Sequence, residues 1–290
     1  MKGLLLALAL LLAAGSAEAG TVRDMLGREV RVPERPGRVV SLAPSLTETV
    51  YALGAEAQLV GVTTNCDYPP EAAKKPKVGG MVTPSLEAIL TLRPDLVLAT
   101  TEGNREEHVL ELERLGLSVY LVRPTSFATV LESVLRVGEL LGREAEARKL
   151  VEEMRREVAA VAQATRPRPR PRVLYVLWGN PLIVPGRDTI MTDLIRLAGG
   201  VSVTGEEALP YPRFSLEEVV ARNPEIIVLA QHGLNSVDER LQRWRHLKLL
   251  PAVRAGRIYG IDGNLLHRPG PRIVEGLRAL ARLLHPEVLP

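Results

Sequence analysis

The sequence predicts an α/β protein of two βα lobes with parallel sheets, joined by one long connecting helix, with a ligand cleft between the lobes. Three observations carry that prediction. Apolar runs of strand length alternate with amphipathic helical stretches along the chain. Two of these helix–strand units are near-copies, one in each half. Ser85-Leu86-Glu87 leads through Arg93-Pro94-Asp95 into Leu96-Val97-Leu98-Ala99, and Ser215-Leu216-Glu217 leads through Asn223-Pro224-Glu225 into Ile226-Ile227-Val228-Leu229. Pro94 and Pro224 keep the spacing of Ser85 and Ser215, so the copies are in register. Between them, helical periodicity runs almost unbroken from residue 127 to about 164. Two widely separated copies point to two similar lobes and not to a solenoid of short repeats. A cleft between lobes is a favoured place to hold a small molecule.

Each element follows in order. Lys2 precedes an apolar run at residues 4–14, and Ala17-Glu18-Ala19 puts small residues where a signal peptidase reads, so residues 1–19 are expected to be a secretory signal peptide cleaved near Ala19. The run falls short of the roughly 20 residues that span a bilayer. No cysteine follows the cleavage region, so an exported, soluble, periplasmic protein without a lipid anchor is expected. The first lobe is assigned to residues 20–126: a β-ribbon at 21–36 turning at Gly27, a buried strand from Arg38, a helix opened by Ser45-Leu46-Thr47-Glu48, and a strand at 59–63. Ser45 and Glu48 have capping-box spacing, which assigns Glu48 to the cap of its own helix. The first repeat copy, a helix at 106–115 and a strand at 118–122 complete the lobe.

Residues 127–165 form the connecting helices, divided at Gly142. Residues 166–172 alternate arginine with proline, which predicts a stiff extended linker. The second lobe, residues 173–290, starts on a buried strand and ends on a helix at 271–284. One continuous helix between lobes is a stiff joint that permits small rocking and no wide hinge closure.

Composition excludes several classes of function. The net charge is +3, and removing Lys2 with Glu18 leaves it unchanged. The basic residues are scattered, so nucleic acid is not an expected partner. Cys66 is the only cysteine, so the fold relies on its core and not on an internal disulfide. No Gly-x-Ser-x-Gly elbow, phosphate-cradling glycine loop or short-spaced metal-ligand cluster is present. His108, His232, His246, His267 and His285 are dispersed, which speaks against a metal site and against a zinc or manganese carrier. Neither catalysis nor a cofactor is expected.

Asp67-Tyr68-Pro69-Pro70, the repeat with Arg93-Pro94-Asp95-Leu96-Val97, and Arg268-Pro269-Gly270-Pro271-Arg272 stand in an order that resembles the class III periplasmic binding proteins of ABC importers. The resemblance covers nearly the whole chain beyond residue 19. Through the Asp-Tyr-Pro-Pro loop, the Gly179-Asn180-Pro181 turn, Pro210-Tyr211-Pro212 and the Arg268 ending, it is closest to the cobalamin-binding members of that class. It implies a monomer that binds a corrinoid such as cobalamin between its lobes and hands it to an ABC permease dimer at the inner membrane. A haem or ferric-siderophore carrier of the same class is the alternative. A tetrapyrrole chelatase is the alternative outside it, and the expected signal peptide opposes that reading.

Tyr68, Trp178 and Tyr211 fall in loops after expected strands, where an open parallel sheet binds ligands. Each ring offers wide contact area with a polar tip, and each alternatively packs on its own lobe. Where cobalamin-binding members carry further aromatics in the first lobe, this chain has Asn65 and Met81. Asp262, Asn264, His267 and Arg268 share the loop before the last helix, which the resemblance places against the ligand, with an ordinary turn as the alternative for Asp262. Glu87 and Glu217 occupy equivalent repeat positions. The resemblance implies that they dock on arginines of the two permease subunits, and a helix-dipole role is the alternative.

Overall fold

The computed structural model describes residues 19–231, 244 and 246–288. The signal-peptide expectation for residues 1–18 and His232 lie outside the described residues.

The N-terminal ribbon forms as expected. β1 (Ala19–Arg23) pairs antiparallel with β2 (Glu29–Pro33), and Gly27 takes a left-handed φ of 80° in the turn between them. The first lobe then builds a parallel sheet from β3 (Val39–Ser41), β4 (Leu59–Val62), β5 (Leu96–Thr100) and β6 (Val119–Val122), in the order β4-β3-β5-β6. The second lobe repeats this with β7 (Arg172–Val176), β10 (Val201–Ser202), β11 (Ile226–Gln231) and β12 (Ile258–Asp262), in the order β10-β7-β11-β12. Both sheets place the first strand of the lobe second, beside the third. The repeat read from one helix–strand unit is therefore a repeat of lobe topology. In both, the chain's crossovers diverge from the first strand, and loops at such a switch point leave a crevice.

The repeat helices carry the expected caps. Ser85 accepts a hydrogen bond from the Ala88 amide ahead of α2 (Leu86–Thr91), and Ser215 makes a full capping box with Glu218 ahead of α7 (Leu216–Arg222). Both copies turn left-handed just before the proline, at Arg93 (φ 44°) and Asn223 (φ 48°). Asparagine tolerates this conformation; at Arg93 the tertiary context imposes it.

The expected cap on the first helix is not made. α1 (Pro44–Ala52) begins one residue early with Pro44, leaving Ala43 as the N-cap with no side-chain bond. Proline is preorganised for the first helical position. Glu48 thus lies a turn into the helix, out of reach of the cap, and is buried.

The connecting segment is a packed pair and not a free rod. α4 (Phe127–Leu141), which follows α3 (Glu106–Arg114) and β6, ends at Gly142 in the left-handed region (φ 65°), and α5 (Glu144–Thr165) doubles back against it. α4 also touches α1 and α6 (Ile190–Leu197), and α5 touches α6 and the final helix Ile273–Leu284. One apolar core accordingly runs from Val39 and Leu46 through Val134 and Met154 to Tyr175 and Leu277. The arginine–proline linker is extended only in its second half. Arg166 is still helical and the Arg168 amide bonds to the Thr165 carbonyl. The φ that proline imposes suits a helical turn as well as an extended chain.

Candidate functional site

Loops at the carboxyl ends of the two sheets meet across a cavity of about 750 Å³. Glu102 enters it from the first lobe, just after β5; Trp178, Tyr211 and His267 enter from the second, over a floor that includes Ile183 and Met191. Trp178 opens the short strand β8 (Trp178–Gly179), which pairs with β9 (Leu182–Ile183), and its indole donates to the Asn180 carbonyl at 2.9 Å. Tyr211 sits between two prolines whose carbonyls accept from the amides of Gly186 and Val184. Its hydroxyl donates across the cleft to Glu102 Oε2 at 2.6 Å. Burial and the neighbouring carboxylate both push the Tyr211 pKa up, so the phenol stays protonated.

His267 is not the solvated loop residue that a lone histidine suggests. Its Nε2 lies 2.9 Å from the Tyr175 hydroxyl, with the rings edge to face. Tyr175 is fully buried, and burial pushes its pKa up. The histidine is thereby oriented toward the cavity from below.

The other residues singled out from the sequence fall outside this cavity. Asn65 accepts from the Met81 amide at 3.1 Å, and Met81 packs over Gly103, whose φ of 131° only glycine adopts readily. A Cβ at Gly103 would lie 2.3 Å from the Met81 methyl. Asn65 and Met81 therefore brace the loop that carries Glu102. Asp262 caps the short helix Gly263–Leu266 by accepting from the Asn264 amide at 2.9 Å.

Tyr68 and Arg268 belong to a second place where the lobes touch. Arg268 Nη1 lies 2.5 Å from Asp67 Oδ1 and 3.4 Å from Glu48 Oε1; Arg272 Nη1 lies 3.5 Å from the same Glu48 oxygen. The Arg272 guanidinium also stands over the Tyr68 ring, 3.8 Å from its centre, so one ring face is already covered. Two arginines of the second lobe thus insert between two acids and an aromatic ring of the first. A Cβ at Gly270 would meet the Ser45 carbonyl oxygen at 2.9 Å, so glycine is what lets the loop lie on α1.

Charge is costly here. Burial raises the Glu48 pKa to about 7 despite both arginines, and Glu48 Oε2 has no hydrogen-bond partner among the described residues. Asp67 is more exposed, and its hydrogen bond from Arg268 holds its carboxyl below the usual range.

Sequence reasoning missed Glu48, Glu102, Tyr175 and Arg272 as contributors. Glu102 was findable, because it directly follows a parallel strand on the cleft side. Arg272 stood inside a quoted motif. Tyr175 reads as one more buried strand residue. Cys66 is buried, with Thr47 and Thr63 hydroxyls 3.1 Å from its sulfur, which gives it a packing role.

A family model described as periplasmic binding protein matches residues 39–265. The uncharacterised ABC transporter substrate-binding lipoprotein YvrC of Bacillus subtilis is 30% identical over 274 residues, covering 92% of this chain and 86% of the relative. Among solved structures, the periplasmic vitamin B12-binding protein BtuF of Vibrio cholerae aligns with a TM-score of 0.78 at 26% identity, covering 86% of this chain and 96% of that one. A periplasmic haem-binding protein of Pseudomonas aeruginosa aligns with a TM-score of 0.77 at 30% identity, covering 87% and 94%.

Proposed function

The chain belongs to the periplasmic binding protein family, and we propose that it is the corrinoid carrier of an ABC importer. The coarser part of this reading, a substrate-binding protein of the vitamin B12, haem and siderophore class, follows from the family and its relatives. The corrinoid is supported by one observation above others: a wide cavity between the lobes, with an apolar floor and with Trp178 and Tyr211 at its wall. A large flat ring with polar substituents gains contact area from the aromatic faces and finds hydrogen-bond partners at their tips. His267 and Glu102 offer further polar contacts. The protein needs no chemistry for this task; it binds, and it releases to a permease.

In this reading the protein works outside the cytoplasmic membrane as a soluble monomer after loss of its signal peptide. Among the described residues no helix is long and apolar enough to cross a membrane. Glu87 and Glu217 are exposed in the first turns of α2 and α7, and neither has a salt-bridge partner among the described residues. They are the docking pair of this proposal, one on each lobe, for a permease with twofold symmetry. Reversing both charges (Glu87→Arg with Glu217→Arg) should stop uptake and leave folding and ligand affinity unchanged; uptake that survives returns both residues to a helix-dipole role.

A haem reading has its own supporting observation. The Tyr211 hydroxyl, already bonded to a carboxylate, lies in the cavity, and tyrosine ligates ferric haem iron. Visible spectra of the purified protein with cobalamin, haemin and a ferric siderophore separate the readings. Cobalamin should quench tryptophan fluorescence, and Trp178→Ala should weaken its binding by about 1–3 kcal/mol. Tight haemin binding with no cobalamin binding would replace the corrinoid by haem.

A further inference from the structure

Four ionisable side chains line the cleft cavity: Glu102, Tyr211, Arg213 and His267. Three of them are engaged with the protein itself. Glu102 accepts from Tyr211, and His267 is held by Tyr175. Arg213 makes no salt bridge or side-chain hydrogen bond among the described residues. Every other ionisable group in the cavity is therefore oriented by a partner, while the cation is left for something else.

Its placement is firm even so. Arg213 forms an antiparallel bridge with Ile183, flanked by bonds from the Val184 amide to the Pro212 carbonyl (3.2 Å) and from the Phe214 amide to the Leu182 carbonyl (2.9 Å). Pro212 and Phe214 are buried while Arg213 is exposed. Extended backbone sends successive side chains to opposite faces, so the packing of Pro212 and Phe214 drives Arg213 into the cavity. A planar guanidinium presented from a fixed backbone beside apolar walls suits bidentate recognition of an oxyanion.

We propose that Arg213 is the receptor for an anionic oxygen group of the ligand, a phosphate or a carboxylate, and so selects among ligands that share a ring. This rests on the reading of the cleft as a tetrapyrrole site. In a corrinoid the group is the phosphodiester that joins ring and nucleotide; in haem it is a propionate. The neutral amides of a corrin make no comparable demand on a cation.

The test compares the wild-type full chain with Arg213→Gln against four probes by fluorescence titration. These are cobalamin, cobinamide (the same ring without phosphate and nucleotide), haemin, and haemin dimethyl ester. Arg213→Gln should weaken cobalamin binding roughly tenfold and leave cobinamide binding unchanged. Added salt should narrow the wild-type advantage. Equal loss for cobalamin and cobinamide, or no loss for either, overturns the inference while leaving a corrinoid carrier intact. If the wild type binds neither corrinoid but binds haemin, the corrinoid reading falls. The inference is then upheld by a loss for haemin and none for the ester, and overturned otherwise. Binding of none of the four overturns both. Circular dichroism of the variant excludes a folding defect, and Arg213→Lys should restore part of the cobalamin affinity.

Discussion

Among the described residues, charged groups link the lobes in two places, and the two are built in opposite ways. At the Arg268 cluster the arginine is 12% exposed and Glu48 only 2%, with two further partners, Asp67 and Arg272, close by. At the cleft wall a single hydrogen bond joins Tyr211, which is 43% exposed, to Glu102. Burial makes the first contact costly to form and costly to break, because removing one partner strands a charge away from water. Water can replace either partner of the second at little cost. The difference assigns the tasks. In the proposed reading, the buried cluster, with α5, fixes the lobes, whereas the cleft bridge is the contact exchanged for ligand.

The largest effect should come from removing the shared arginine. Arg268→Ala leaves Glu48 buried beside Arg272 alone and frees Asp67, and should cost about 3–5 kcal/mol in urea denaturation above pH 7, where the wild-type Glu48 is ionised, and less below it, where Glu48 is already protonated. The same variant tests the stiff joint. Small-angle scattering of the wild type should change little on ligand binding, because the helices and the cluster both hold the lobes; Arg268→Ala should show a wider free state. A loss below about 1 kcal/mol would place the cluster with ordinary surface pairs.

Glu48 gives the next effect, and its sign follows from the direction of its shift. Burial lifts its pKa from an ordinary 4.5 to about 7, so the folded protein binds this proton more tightly than the unfolded chain does. The resulting stabilisation is fully present below pH 4.5 and is lost as the pH rises through 7. Relative to Glu48→Gln, which cannot ionise, the wild type should lose about 1–3 kcal/mol between those limits. Wild-type stability relative to Glu48→Gln that stays flat would mean the arginines offset burial, and one that rises with pH would mean they outweigh it.

These two regions also show what was legible in the sequence. Strands, caps and the lobe repeat were readable because each depends on neighbours in sequence: a serine three residues from the amide it caps, or an apolar run bounded by turns. Trp178, Tyr211 and His267 were readable as cleft residues because they follow parallel strands or lie in the last loop. The lobe contact was not. Glu48 meets Arg268 across 220 positions, and its spacing from Ser45 imitates a cap that Pro44 prevents by starting the helix early. Local patterns say nothing of a partner so distant. Arg268 and Tyr68, read from the sequence as ligand contacts, also engage the opposite lobe, Arg268 through Asp67 and Glu48 and Tyr68 through Arg272, and the same lack of distant information hid those partners.

The smallest effect tests the weak side of the contrast. Tyr211→Phe deletes the hydroxyl that reaches Glu102 and keeps the ring. The lost bond is charge-assisted and short, which in a buried setting would make its removal expensive. Here the tyrosine is 43% exposed and Glu102 faces an open cavity, so water can solvate the carboxylate once the hydroxyl is gone. The stability change in urea should therefore stay within about 1 kcal/mol. Ligand contact through the ring face should persist, since the aromatic area is retained. A loss as large as that of Arg268→Ala would show that the bridge at the cleft wall is a structural tie. The ligand would then have to enter beneath a bond that never opens, and the division of labour between the two contacts would be lost.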